Sequence, residues 1–215
     1  MPPSSEQDCD NDPLPQAVSP AEGIAALAGR EVVLGVAGGV AAYKAAMLAS
    51  LLVKQSVGVT AVLTDAASTF VGEATFAALT GRPVARRLFD PARHPLGGHI
   101  ELVAAADIVV VAPATADLLA KAAHGLADDL LSTLLLAAEC PVILAPAMNA
   151  AMWAKPAVQR NVRQLAEDGL GIIEPGSGWL ACRREGAGRM AEPEAIASEI
   201  ARVLAGGELP KPAAA

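Results

Sequence analysis

The chain has 215 residues, 53% of them hydrophobic and only 3% aromatic, so the expectation is one domain with a core filled by Ala, Leu and Val. A formal net charge of -7, with no block rich in Lys or Arg, argues against a nucleic-acid partner. The longest apolar runs are broken by Pro, Asp or Glu well short of the ~18 residues of a membrane span, and the acidic start MPPSSEQDCDNDPLP is the opposite of a secretory signal.

Cys9, Cys140 and Cys182 form no CxxC pair, which points to neither a disulfide framework nor a metal site; a reducing cytoplasm is the expected compartment. Residues 1–28 carry several prolines and acids and no periodic apolar pattern, and read as a disordered or loosely attached arm. Residues 29–205 read as the folded unit, and 206–215 as a flexible tail.

The folded unit opens with a β-branched run, Glu31–Ala37, that meets Gly38-Gly39 and then a helical pattern over 40–53. Strand, glycine turn and helix form an arrangement that suits a phosphate, because the backbone comes close and the helix start presents free N–H groups. Neither GxGxxG nor a Walker A motif is present, and Gly38 and Gly39 also fit a plain tight turn. A second strand, 58–64, runs into a helix expected over 65–79. Thr64 stands where a hydroxyl could meet a phosphate, and Asp65 reads either as the helix N-cap or as a ribose ligand. A short strand and a long loop follow over 84–98.

His99 follows Gly97-Gly98 at the edge of a short amphipathic helix, and is either a structural imidazole or a base near neutral pH. Ile108–Ala112 is continuous in apolar residues, as a central parallel strand should be. Its exit, Pro113-Ala-Thr-Ala-Asp117, is rich in small residues; it suits a flat ring against the backbone, or a plain cap by Thr115. A helix over 128–138 has acids in its first turn.

The next strand, Pro141–Ala145, runs into Pro146 and then Asn149, framed by Met148, Met152 and Trp153. Asn149 reads either as an N-cap beside core methionines or as one oriented polar group in a dry pocket. Trp153 fits pocket and core equally. A helix over 153–168, a strand over 171–173 and a closing helix over 193–204 complete the pattern. Between them, 174–192 has four glycines and neither strand nor helix period, and reads as a lid carrying Cys182. The alternation predicts a single-domain α/β fold, a doubly wound, Rossmann-like (flavodoxin-like), mostly parallel sheet in three αβα layers. The loops after Ala37, Thr64, Ala112 and Ala145 then share one edge.

Five segments together resemble the flavin-dependent cysteine decarboxylases: Gly38-Gly-Val-Ala-Ala-Tyr-Lys44, Gly98-His-Ile-Glu-Leu102, Ala112-Pro-Ala-Thr-Ala-Asp117, Pro146-Ala-Met-Asn-Ala-Ala-Met-Trp153, and Leu180–Pro193. The resemblance implies FMN as cofactor and a homotrimer or homododecamer with FMN between subunits. It places Gly38, Gly39, Val40 and Thr64 at the flavin phosphate, and Pro113, Ala114, Thr115, Ala116 and Met148 by the ring system. It makes His99 the base, Asn149 the holder of the substrate carboxylate, and Cys182 the proton donor in a substrate clamp over 174–192, with Ala181, Arg183 and Met190 as further substrate contacts. Family clamps commonly carry glycine where this chain has Arg183. The implied reaction is decarboxylation of 4'-phosphopantothenoylcysteine to 4'-phosphopantetheine in coenzyme A biosynthesis, without a metal, a nucleic acid or a membrane. A peptidyl-cysteine decarboxylase, a flavin prenyltransferase and a non-catalytic flavin-binding regulatory subunit stay open. With the chain ending at 215, the synthetase unit fused in some bacterial relatives is not expected within it.

Overall fold

The computed structural model describes residues 24–212. Five strands build the main sheet: β1 (Glu31–Val36), β2 (Gly58–Leu63), β3 (Ile108–Ala114), β4 (Val142–Pro146) and β5 (Gly171–Ile172). Their spatial order is β2-β1-β3-β4-β5, and every neighbouring pair is parallel. β3 is buried at every position, which explains its unbroken apolar run: helices cover both of its faces.

Helix α1 (Ala42–Lys54) joins β1 to β2, and α2 (Glu73–Thr80) follows β2 after a 3-10 turn at Ala67–Thr69. Helix α3 (Gly98–Ala104) precedes β3, while α4 (Ala116–Ala123) and α5 (Leu130–Ala137) connect β3 to β4. After β4 come α6 (Ala150–Trp153) and α7 (Pro156–Glu167), and α8 (Pro193–Leu204) closes the unit. One core layer packs Leu48, Leu52, Phe76, Ile196 and Ile200 against alternate strand residues such as Val110 and Ile143. The other packs Leu102, Leu119, Leu134 and Leu165 against Val109, Val111 and Leu144. This is the three-layer αβα arrangement that the strand and helix alternation predicts.

Several local expectations change. The helix expected from 65 to 79 is split: Thr64 Oγ1 accepts from the Ala67 N–H at 3.1 Å and opens only a 3-10 turn over Ala67–Thr69, and extended backbone at Gly72 separates it from α2. Asp65 is no cap; it is exposed and pairs with Arg86 at 2.8 Å. The helix expected from 153 breaks before Pro156, whose ring disfavours helical backbone at Lys155. The segment 174–192 is not irregular. It forms an antiparallel hairpin, β6 (Gly176–Trp179) and β7 (Glu185–Arg189). Ile24 and Leu27, within the stretch read as a loose arm, are buried in the core; the rest of that arm lies outside the described residues. In the stretch read as a tail, Leu209 packs on the core and the Pro210 carbonyl accepts from the Ile172 N–H at 2.8 Å.

The strand order reverses between β1 and β3, since one connection runs outward to β2 and the next returns past β1. In such sheets the carboxyl ends of the strands leave a crevice at this point, and ligands bind there.

Candidate active site

A cavity of about 980 Å3 occupies that crevice, walled by the loops after β1, β2, β3 and β4 and roofed by the β6–β7 hairpin. Gly38 sits where the first two loops nearly touch: a Cβ on it would lie 2.4 Å from Ala66 Cβ, so no larger residue fits. The N–H groups of Gly38, Gly39 and Val40 make no hydrogen bond within the described residues. They stand at the start of α1, the end of a helix that favours an anion. Thr64 lines the same wall, and because its oxygen accepts from Ala67, its hydroxyl hydrogen remains free to donate.

Across the cavity, Thr115 caps α4 by accepting from the Leu118 N–H at 3.3 Å, and Thr115 and Ala116 form a small-residue wall. Pro113 and Ala114 lie behind it, buried in β3. Their carbonyls accept from the N–H groups of Ala37 at 3.2 Å and Ala147 at 3.0 Å, and so hold three loop starts together.

Asn149 is an N-cap, as one of its two readings expects, and it also lines the cavity. Its side-chain oxygen caps α6, accepting from the Met152 N–H at 2.8 Å. That fixes the amide and leaves its NH2 group to donate into the cavity it lines. Asn149 is exposed, so the dry pocket expected around it is not closed in this structure. Met148 lines the cavity with its back against the core, and Trp153, half-buried, packs against the core and does not line the wall.

Cys182 stands in the tip of the hairpin, exposed and on the cavity wall with Ala181. The tip is a tight turn in which Leu180 and Arg184 share a backbone bond of 2.9 Å. Arg183 within it holds φ at 60°, the left-handed region that glycine takes most readily. Met190 is buried at the hairpin's root and also reaches the wall. His99 does not line this cavity. It lies in the first turn of α3, half-buried, and its Nδ1 is buried with no hydrogen-bond partner.

Three wall features escaped the sequence reading. Lys121 reaches Asp128 at 2.9 Å, Asp129 at 3.5 Å and Asp117 at 3.7 Å, and all four line the cavity. The hydrogen bond to Asp128 raises the Lys121 pKa, with the other two acids adding to it, and lowers that of Asp128. Lys44 is 3% exposed and faces the hairpin root. Trp179, on β6, is an exposed indole at the rim. The Lys121 cluster had a sequence signal: Asp117 and Lys121 stand four apart on one helix. Among the described residues no group of His, Cys, Asp and Glu is placed to hold a metal ion, and no helix is long and apolar enough to cross a membrane.

The chain is 47% identical over 167 residues to the coenzyme A biosynthesis bifunctional protein CoaBC of Vibrio parahaemolyticus, covering 78% of this chain and 42% of that protein. It is 48% identical over 175 residues to the protein of the same name from Mycobacterium tuberculosis, covering 81% of this chain and 41% of that one. It thus spans about two fifths of the length of these curated relatives. The FMN-dependent cysteine decarboxylase SpaF superposes with a TM-score of 0.72 at 38% identity, covering 83% of this chain and 99% of SpaF. A PPC decarboxylase mutant complexed with pantothenoylaminoethenethiol superposes with a TM-score of 0.75 at 32% identity, covering 83% and 99% of the two chains. The flavoprotein family profile matches residues 24–205, and the chain belongs to the flavoprotein family, among its flavin-dependent cysteine decarboxylases.

Proposed function

We propose that this chain decarboxylates 4'-phosphopantothenoylcysteine to 4'-phosphopantetheine with FMN as cofactor. The observation that carries the reading is the convergence of Asn149, Cys182 and the unbonded Gly38–Val40 amides on one cavity. The cavity fits FMN. The amides and the Thr64 hydroxyl would hold its phosphate, and Thr115, Ala116 and Met148 would flank its ring system.

A cysteine amide has no electron sink for the carbanion that CO2 leaves behind. Bound FMN supplies one by accepting a hydride from the cysteine Cβ and later returning it. His99 would take the thiol proton as the Cβ–S unit becomes a thioaldehyde. Asn149 would donate its NH2 hydrogens to the substrate carboxylate and hold the Cα–carboxylate bond in place for cleavage. The electron pair of that bond moves to the sulfur, and an enethiolate remains. Cys182 would then give its proton to the carbon that lost CO2. The net change is one carboxylate lost as CO2 and one proton gained.

His99 stands outside the protomer's cavity wall, and we assign it to the site of a neighbouring copy in a homotrimer or homododecamer. Support comes from half-exposed Val40 in the turn before α1, from half-exposed Tyr43 and Met47 on α1, and from half-exposed Ile100 next to His99. A second copy packed there would also exclude water from Asn149. The exposed Arg183 side chain at the clamp turn is assigned to the anionic end of the substrate. A cytoplasmic location accords with the reduced cysteine this chemistry needs.

Purification tests the reading first. A yellow protein with flavin absorption, or one that takes up FMN on mixing, is the expected result; a colourless protein that cannot be loaded overturns it.

A further inference from the structure

Lys44 is a buried charge that the reaction above does not use. Its ammonium donates to the Met190 carbonyl at 3.0 Å and to Glu192 Oε1 at 3.0 Å. The same carboxylate oxygen forms an ion pair with Arg189 at 2.9 Å. The bonded groups lie at the root of the hairpin, where β7 leads into α8, whereas Lys44 belongs to the first turn of α1. On its other side, β7 is tied to the turn after β4, where the Met148 N–H donates to the Gly188 carbonyl at 3.0 Å. The returning strand of the clamp therefore spans the crevice, fixed to one wall by Met148 and to the opposite wall by Lys44.

From these contacts we infer that Lys44 is a positioning residue, which latches the hairpin root and so sets where Cys182 stands over the cavity. The inference rests on the reading of Cys182 as proton donor. A lysine ammonium is costly to bury without partners, and here both partners come from the clamp. With the root displaced, Lys44 would lose both partners, so the ion pair favours the seated root from which the hairpin extends. The hairpin tip has its own turn bonds, and its strands seat on Met148 and Ala150 through Gly188 and Gly186, so the tip's place follows from this seat and from the root. The Glu192 carboxyl is held below its ordinary range by the Lys44 hydrogen bond, and Arg189 adds to this.

The test uses the FMN-loaded chain and compares wild type with Lys44→Met. Hydrogen exchange at 176–190 should quicken at least about tenfold in the variant, with β1 and β3 unchanged, because the hairpin opens as a local unit. The variant should also release a larger share of its decarboxylated product as the enethiol, since Cys182 is off its mark. Unchanged hairpin exchange overturns the latch, as does loosening spread evenly over the sheet. A loosened hairpin with an unchanged product ratio overturns the positioning role. If Lys44→Met does not fold, Glu192→Ala is read in the same way from the other partner. If wild type releases no CO2, the reaction reading fails, and the exchange data still decide the latch.

Discussion

The Gly188 carbonyl and the Met148 N–H meet at 3.0 Å, and through that bond the clamp hairpin rests on the turn that carries Asn149. The approach is so close that a Cβ on Gly188 would lie 2.3 Å from the Met148 carbonyl oxygen, and Gly188 holds φ at 118°. Gly188→Ala is therefore strained twice. It should lower stability by ~1–3 kcal/mol and cut turnover more than FMN content, measured by thermal melts and by flavin absorption of the purified variant. Equal loss of flavin and activity would mean that the residue serves only the fold.

Asn149→Asp separates the two jobs of the amide. An aspartate keeps the cap on the Met152 N–H, so the melting temperature should stay close to wild type. It removes the NH2 donor and sets a negative charge against the substrate carboxylate, a cost on the order of several kcal/mol, so kcat should fall at least about a hundredfold. Wild-type turnover in Asn149→Asp would remove Asn149 from the site.

Copies that share a site can complement one another. Co-expressed His99→Asn and Cys182→Ser chains, each inactive in forming 4'-phosphopantetheine, should recover activity at about one site in four by random assortment. Steady-state assays of the mixed oligomer against each parent read this directly. No recovery would place His99 in the site of its own chain.

Asp107 links two strands at their amino ends. Its carboxylate accepts from the Glu31 N–H at 2.7 Å and from Arg30 at 3.0 Å, and these bonds hold its pKa below the ordinary 3.8. The stabilisation is present above the ordinary carboxylate range and is lost as pH falls through the depressed value. Asp107→Asn should flatten the acid limb of a stability curve below about pH 4. An unaltered acid limb would show that the pair is worth nothing in solution.

The sheet and its crevice were legible because parallel strands are short apolar runs and their loops carry the small and polar residues. Gly38, Thr64, Thr115 and Asn149 all fall at such exits, and all four line the cavity. The β6–β7 hairpin was illegible. Its strands Gly176–Trp179 and Glu185–Arg189 have no apolar alternation and are held by seating on Met148 and Ala150. The part played by Lys44 was hidden too, since its partner carbonyl lies 146 residues away. Ile24 and Leu27 were masked by the prolines and acids around them, although both are core residues. His99 was legible as a candidate, but the fold of this one chain leaves it off the cavity wall.

Product analysis by mass spectrometry, after mixing the FMN-loaded chain with 4'-phosphopantothenoylcysteine, tests the central claim most directly. Wild type should yield CO2 and 4'-phosphopantetheine, and Cys182→Ser should yield CO2 and the enethiol. No CO2 from the flavin-loaded wild type would contradict the account, and full product from Cys182→Ser would remove the clamp cysteine from the reaction.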